Sequence, residues 1–123
     1  MKLWLIIGAV NGFLAVACGA FGAHGLEARL TANGRAANWE TAASYHMYHA
    51  IAMLAGSCVA SRAPEAMTNR NGACFLGGFI FFCGCLYALA LTNIKVLGAI
   101  TPIGGVLFLV GWVLLAVSAL KMK

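Results

Sequence analysis

The sequence predicts an all-α integral membrane protein, a bundle of four transmembrane helices with a short interfacial helix in the first loop. Three observations lead there. Of the 123 residues, 9% are charged and 63% hydrophobic. Soluble domains carry about 25% charged residues, so there is too little charge here to clothe a water-facing surface. Four runs free of charge, residues 3–23, 41–61, 71–93 and 96–120, each reach the roughly 20 residues needed to cross about 30 Å of hydrocarbon. None shows the two-residue alternation of a barrel strand, and backbone groups in lipid must pair internally, so the runs are read as helices.

Run 3–23 carries Gly8, Gly12, Ala15, Gly19 and Ala23 at spacings of three or four. That stripe lets a second helix approach closely. Lys2 and the small residues before Cys18 also resemble a cleavable signal, but the run stays apolar beyond Cys18 instead of turning polar. In the connection 24–40, Leu26 to Leu30 reads as the short interfacial helix, with a turn at Thr31 to Gly34 and Trp39 at the level of an aromatic belt. Run 41–61 opens with Tyr45-His46-Met47-Tyr48-His49. The connection 62–70 holds Pro64 between Arg62 and Arg70, and Asn93-Ile94-Lys95 leaves room only for a tight helical hairpin. In the last run, Pro102 followed by Gly104 and Gly105 predicts a kink. No linker divides the chain, so 1–123 is one transmembrane domain.

If all four runs span, Lys2, Arg62, Arg70, Lys121 and Lys123 share one membrane side and Arg29, Arg35 and Lys95 the other. The bias places both termini in the cytoplasm. Cations scattered singly beside apolar runs read as topology signals and lipid headgroup contacts, not as a nucleic-acid surface. The five cysteines, 18, 58, 74, 83 and 85, have neither zinc-pair nor redox CxxC spacing and read as packing residues.

The candidate functional residues gather by topology. His46 and His49, at i and i+3, share a helix face. His24 ends the first run, so hairpin topology puts three imidazoles at one membrane surface, together with Tyr45, Tyr87 and Thr101. His24, His46 and His49 suit a transition metal, because three imidazoles leave a coordination position open. Haem fits less well, since two of the histidines share a helix. The alternative is that interfacial His and Tyr bond headgroups, carbonyls or one another. Glu40 can pair with Arg35 or His46, and Asn11, in mid-membrane, requires a hydrogen-bonding partner from another helix.

No catalytic constellation is evident, so an enzyme is not expected. The first expectation is a binding or structural membrane module whose His/Tyr cluster meets a lipid headgroup, a metal or a protein partner, with self-association of the chain open. The second is a small transporter or channel for a neutral or cationic solute. No run holds a carboxylate to exchange a proton, so histidine would carry it.

The segments Gly19 to Leu26, Tyr45 to Ala50, Leu86 to Leu91 and Leu97 to Gly105, with Gly111-Trp112, resemble the family of domain of unknown function 423, the YgdD- and YwdK-like proteins related to eukaryotic transmembrane protein 256. The resemblance covers nearly the whole chain. It implies a small four-helix protein of the bacterial inner membrane, with no activity established for the family. The positions matching its motifs include Gly22, His24, Gly25, Tyr45, His46, His49, Tyr87, Thr101, Pro102 and Gly104; the cysteines depart from its usual pattern.

Overall fold

The computed structural model describes residues 2–123. They are helical almost throughout: α1 (Lys2–Ala23), α2 (Glu27–Asn33), α3 (Ala36–Cys58), a 3-10 turn (Ala60–Arg62), α4 (Glu65–Gly78), a π-helical segment (Phe79–Gly84), α5 (Cys85–Thr92) and α6 (Val96–Leu120). α4, the π segment and α5 form one rod from Glu65 to Thr92. That rod, α1 and α6 are long and apolar enough to cross a membrane. α3 matches them in length, with 23 residues, but its Asn, Glu, His and Tyr side chains make it the most polar of the long helices.

The rods follow one another in the order α1, α3, α4–π–α5, α6, each packed on the next. α3 is the inner member. Nine of its residues are buried, whereas α1 buries Trp4, Gly8 and Ala15 and leaves its other faces exposed. The polarity of α3 is therefore turned inward, and apolar side chains of α1 and α6 such as Phe13, Leu109 and Val113 are exposed. This inverts the soluble pattern, because lipid is the apolar medium.

Close packing depends on glycines that seat aromatic rings. A Cβ on Gly22 would strike Trp39, one on Gly72 would strike Trp4, and one on Gly78 would strike Phe108. At Gly111 a Cβ would come 2.6 Å from the Phe75 ring. Gly104 differs, since its Cβ would strike the backbone of Phe82. There α6 lies directly on the π segment, whose i to i+5 bonding distorts the rod locally.

Two helix boundaries differ from the charge-free runs. α3 begins at Ala36 rather than Thr41, and the third rod begins at Glu65 rather than Asn71, because a charge delimits the hydrocarbon-compatible stretch without ending a helix. α6 is continuous through Pro102, where the sequence predicts a kink. The departure from α-helical bonding falls on the neighbouring rod, opposite Gly104.

α2 ends at Gly34, which takes a left-handed conformation (φ 67°) and donates its N–H to the Thr31 carbonyl at 3.1 Å. Leu30 of α2 is buried with Trp39 and Ala90. Arg29 Nε donates to the Leu91 carbonyl (3.0 Å) and Asn33 Nδ2 to that of Ala90 (2.9 Å). α2 thus caps the C-terminal carbonyls of α5, where donors and positive charge are favourable.

Candidate functional site

Because α3 starts at Ala36, His46 and His49 stand near its middle, not at the mouth of a span. Both are 5% exposed. Asn11 lies at the middle of α1, at the same depth. The two imidazoles share the buried side of α3, yet three residues of helix rotation send them to different neighbours.

His46 reaches α1 and α5. Its Nε2 is 2.8 Å from Asn11 Oδ1, and its Nδ1 is 3.1 Å from the Tyr87 hydroxyl. Asn11 Nδ2 donates to the Ile7 carbonyl at 2.8 Å. A carbonyl only accepts, so that bond fixes the amide with its oxygen toward His46. Nε2 must then carry the proton, and Nδ1 accepts from Tyr87. Trp39, whose Nε1 donates to the Cys18 carbonyl at 2.7 Å, lies with its ring 4.7 Å from that of Tyr87. A polar chain, Ile7 carbonyl, Asn11, His46, Tyr87, thus ties α1, α3 and α5 together. It borders an open cleft of ≈ 400 Å³.

His49 reaches α6 and α4. Its Nδ1 donates to the Tyr45 carbonyl at 2.7 Å, one turn back on α3, and its Nε2 accepts the indole N–H of Trp112 at 3.0 Å. Indole only donates, so Nε2 is the unprotonated nitrogen. The imidazole stacks on Phe108, with centroids 3.6 Å apart and planes 12° apart, and meets Phe75 edge-on at 5.6 Å. His49 therefore sits in an aromatic box, and it carries its proton on the opposite nitrogen from His46.

Of the residues expected to converge, Tyr45 joins the His49 side: its carbonyl accepts the imidazole N–H and its ring stacks on Phe82 at 4.9 Å. Tyr87 joins His46. His24 does not join either. It is exposed, one residue past the end of α1, about 20 Å along the axis from Asn11 at 1.5 Å per residue. Thr101 also stays out, its hydroxyl bonding the Leu97 carbonyl of its own helix at 2.9 Å. Among the described residues no three His, Cys, Asp or Glu side chains are grouped to hold a metal, so the centre expected from His24, His46 and His49 is not formed. Both nitrogens of His46 and of His49 are already spent on protein partners. Arg35, expected beside Glu40 or His46, donates instead to Asn93 Oδ1 at 3.1 Å.

The reading from sequence missed Trp112, Phe108 and Phe75 as neighbours of His49; no spacing rule links positions 49 and 112, and only tertiary packing does. Asn71 was missed as well: buried between α3 and α6, it donates to the Gly111 carbonyl at 2.6 Å.

α3 and α6 both pack on the α4–π–α5 rod and make little backbone contact with each other, so His49, Phe108 and Trp112 bridge a gap. Its outer side is a groove of ≈ 560 Å³ lined by Tyr45, Tyr48, His49, Gly105, Phe108, Leu109 and Trp112. At the loop end, α1, α2 and α3 enclose a more polar cavity of ≈ 760 Å³ with Glu27, Glu40 and Trp39 in its wall.

An all-helical chain with three apolar spans and its polar side chains turned inward is a membrane protein. Residues 18–105 match the model of the family described as protein of unknown function, DUF423, and the chain belongs to that family. It is 48% identical to a UPF0382 membrane protein of Staphylococcus saprophyticus, over 98% of this chain and 99% of the relative. It is likewise 48% identical to one of Staphylococcus aureus, over 98% of each. To the UPF0382 membrane protein YwdK of Bacillus subtilis it is 41% identical, again over 98% of each chain. No solved structure matches.

Proposed function

We propose that the chain is a four-span protein of the bacterial inner membrane and serves as a binding module for an apolar, ring-bearing molecule drawn from the bilayer. The observation that carries this is the aromatic groove between α3 and α6. It is walled by Tyr45, Tyr48, Phe108 and Trp112 and faces the side where the chain exposes apolar residues such as Leu109 and Val113. Rings stack on rings, and the Tyr45 and Tyr48 hydroxyls can donate to a polar substituent of the occupant. Neither imidazole is needed as a ligand; His49 holds the groove's floor in place.

α3 supports the fourth span: 23 residues make about 34 Å of helix, and its histidines find partners inside the protein. α2 then lies at the membrane interface as a cap on α5. The excess of Lys and Arg beside the termini supports a cytoplasmic location for both ends. The reading requires no enzyme chemistry and no nucleic-acid partner.

Gly105 lines the groove, and a Cβ there meets nothing closer than the Phe82 ring at 3.7 Å, so Gly105→Leu fills the groove without striking backbone. The expected outcome is that mass spectrometry of organic extracts finds an apolar small molecule with the purified protein and loses it in Gly105→Leu, with the unfolding midpoint unchanged. Equal amounts in both proteins would overturn the proposal.

A second reading, transport with His46 as the proton carrier, rests on the chain from Asn11 through His46 to Tyr87 at an open cleft. Proton flux in proteoliposomes that is the same for unmodified protein and His46→Gln would remove it.

A further inference from the structure

At the end of the molecule opposite α2, the turn after α3 and the last residues of the chain close on each other. The Lys123 N–H donates to the Arg62 carbonyl at 3.0 Å. Between them is a cleft of ≈ 460 Å³ lined by Ser61, Arg62, Ala63, Pro64, Lys121 and Lys123. Its charged side chains are all cations. The only acidic side chain at this end of the sequence is Glu65, and it is not in the lining. A main-chain carboxylate at Lys123 would offset one of the three charges and leave two. Pro64, which precedes α4, is part of the wall, so the positive end of that helix adjoins the cations.

We propose that this cleft binds a phosphate group, presented by an anionic phospholipid headgroup or as free phosphate. The guanidinium of Arg62 has the planar, forked donor set that fits phosphate oxygens, and the two ammonium groups supply compact charge beside it. The placement suits a headgroup: the cleft lies at the ends of α3 and α6, where helices in a membrane meet the phosphate layer. Arg29, at the other end, is used differently, with its Nε on the Leu91 carbonyl of α5. The two ends of the chain are therefore not equivalent in what their cations are free to hold.

The test is native mass spectrometry of the full chain in neutral detergent, titrated with phosphatidylglycerol, with phosphatidylcholine, and with inorganic phosphate alone. The comparison variant is Arg62→Gln/Lys121→Gln/Lys123→Gln, and the control is Arg29→Gln/Lys95→Gln. Each cation near a phosphate surface is worth roughly a factor of five in affinity, so the triple variant should bind phosphatidylglycerol about a hundredfold more weakly while the control binds as the unmodified protein does. Binding of phosphatidylglycerol without inorganic phosphate assigns the cleft to a headgroup, and binding of both assigns it to the phosphate group wherever it comes from. Equal affinity for phosphatidylglycerol in the unmodified and triple-variant proteins overturns the proposal, as does an equal loss in the control. Circular dichroism of both variants guards against misfolding, and the single variant Arg62→Lys, which keeps the charge and loses the fork, should bind with intermediate affinity.

Discussion

His46 and His49 are three residues apart on one helix, equally buried, at nearly the same depth, and they are held in opposite ways. His46 is one member of a polar chain: it donates to Asn11 Oδ1 and accepts from the Tyr87 hydroxyl, and the Asn11 amide in turn donates to the Ile7 carbonyl. His49 is the sole acceptor for Trp112 and is otherwise enclosed by Phe108 and Phe75. Residue type and helix position are therefore poor guides to what a buried imidazole does. The neighbours that packing supplies decide how much depends on it.

The most severe way to break this arrangement is to separate the helices that frame the aromatic box. Gly104→Val puts a side chain into the backbone of Phe82, where no rotamer change can relieve it, and should cost about 3 kcal/mol or more. The readout is the folded fraction in a denaturing-detergent titration. A destabilisation below about 1 kcal/mol would mean that α6 does not lie on the π segment as described.

A paired substitution sharpens the contrast between the two histidines. His49→Leu leaves the Trp112 N–H without an acceptor and removes the stack on Phe108, for an expected loss of about 2–3 kcal/mol. His46→Leu removes two side-chain hydrogen bonds, each worth about 0.6 kcal/mol between membrane helices, and no ring stack as close as that on Phe108, so it should cost about 1 kcal/mol. The same titration ranks the two, and the reverse order would show that the stack on Phe108 is not what separates them.

The finest test involves no change in stability. Nitrogen-15 spectra of imidazole-labelled protein at neutral pH should show His46 protonated at Nε2 and His49 at Nδ1, because Asn11 Oδ1 and the Tyr45 carbonyl can only accept. Identical tautomers at the two rings would contradict one of the two networks.

Much of the fold was legible along the chain. The run 96–120 coincides with α6, and 3–23 with α1 to within a residue, since each is bounded by charges or turn residues at both ends. The stop at Gly34 was legible, because Gly34 supplies the left-handed conformation that ends α2, but Thr31 to Asn33, expected in the turn, belong to the helix. α3 was misjudged at its start: Glu40 ends the charge-free run, while the helix passes through it to Ala36. That shift of five residues moved the histidines from the mouth of the helix to its middle and separated them from His24, so the three imidazoles do not meet. The partner expected for Asn11 was anticipated as a requirement, and its identity, His46, was not, because helix adjacency carries no trace in a single strand of sequence.

Composition and run length by themselves determined that this chain is helical and belongs in a membrane, because apolar surface of that extent is stable only in lipid and a backbone in lipid must bond to itself. Tertiary structure alone decided which polar side chains meet. Imidazole, amide, phenol and indole can each pair with many partners, and the choice among them follows from glycine contacts such as Gly104 on Phe82 and Gly111 on Phe75, which set how closely the helices approach and which rings face each other.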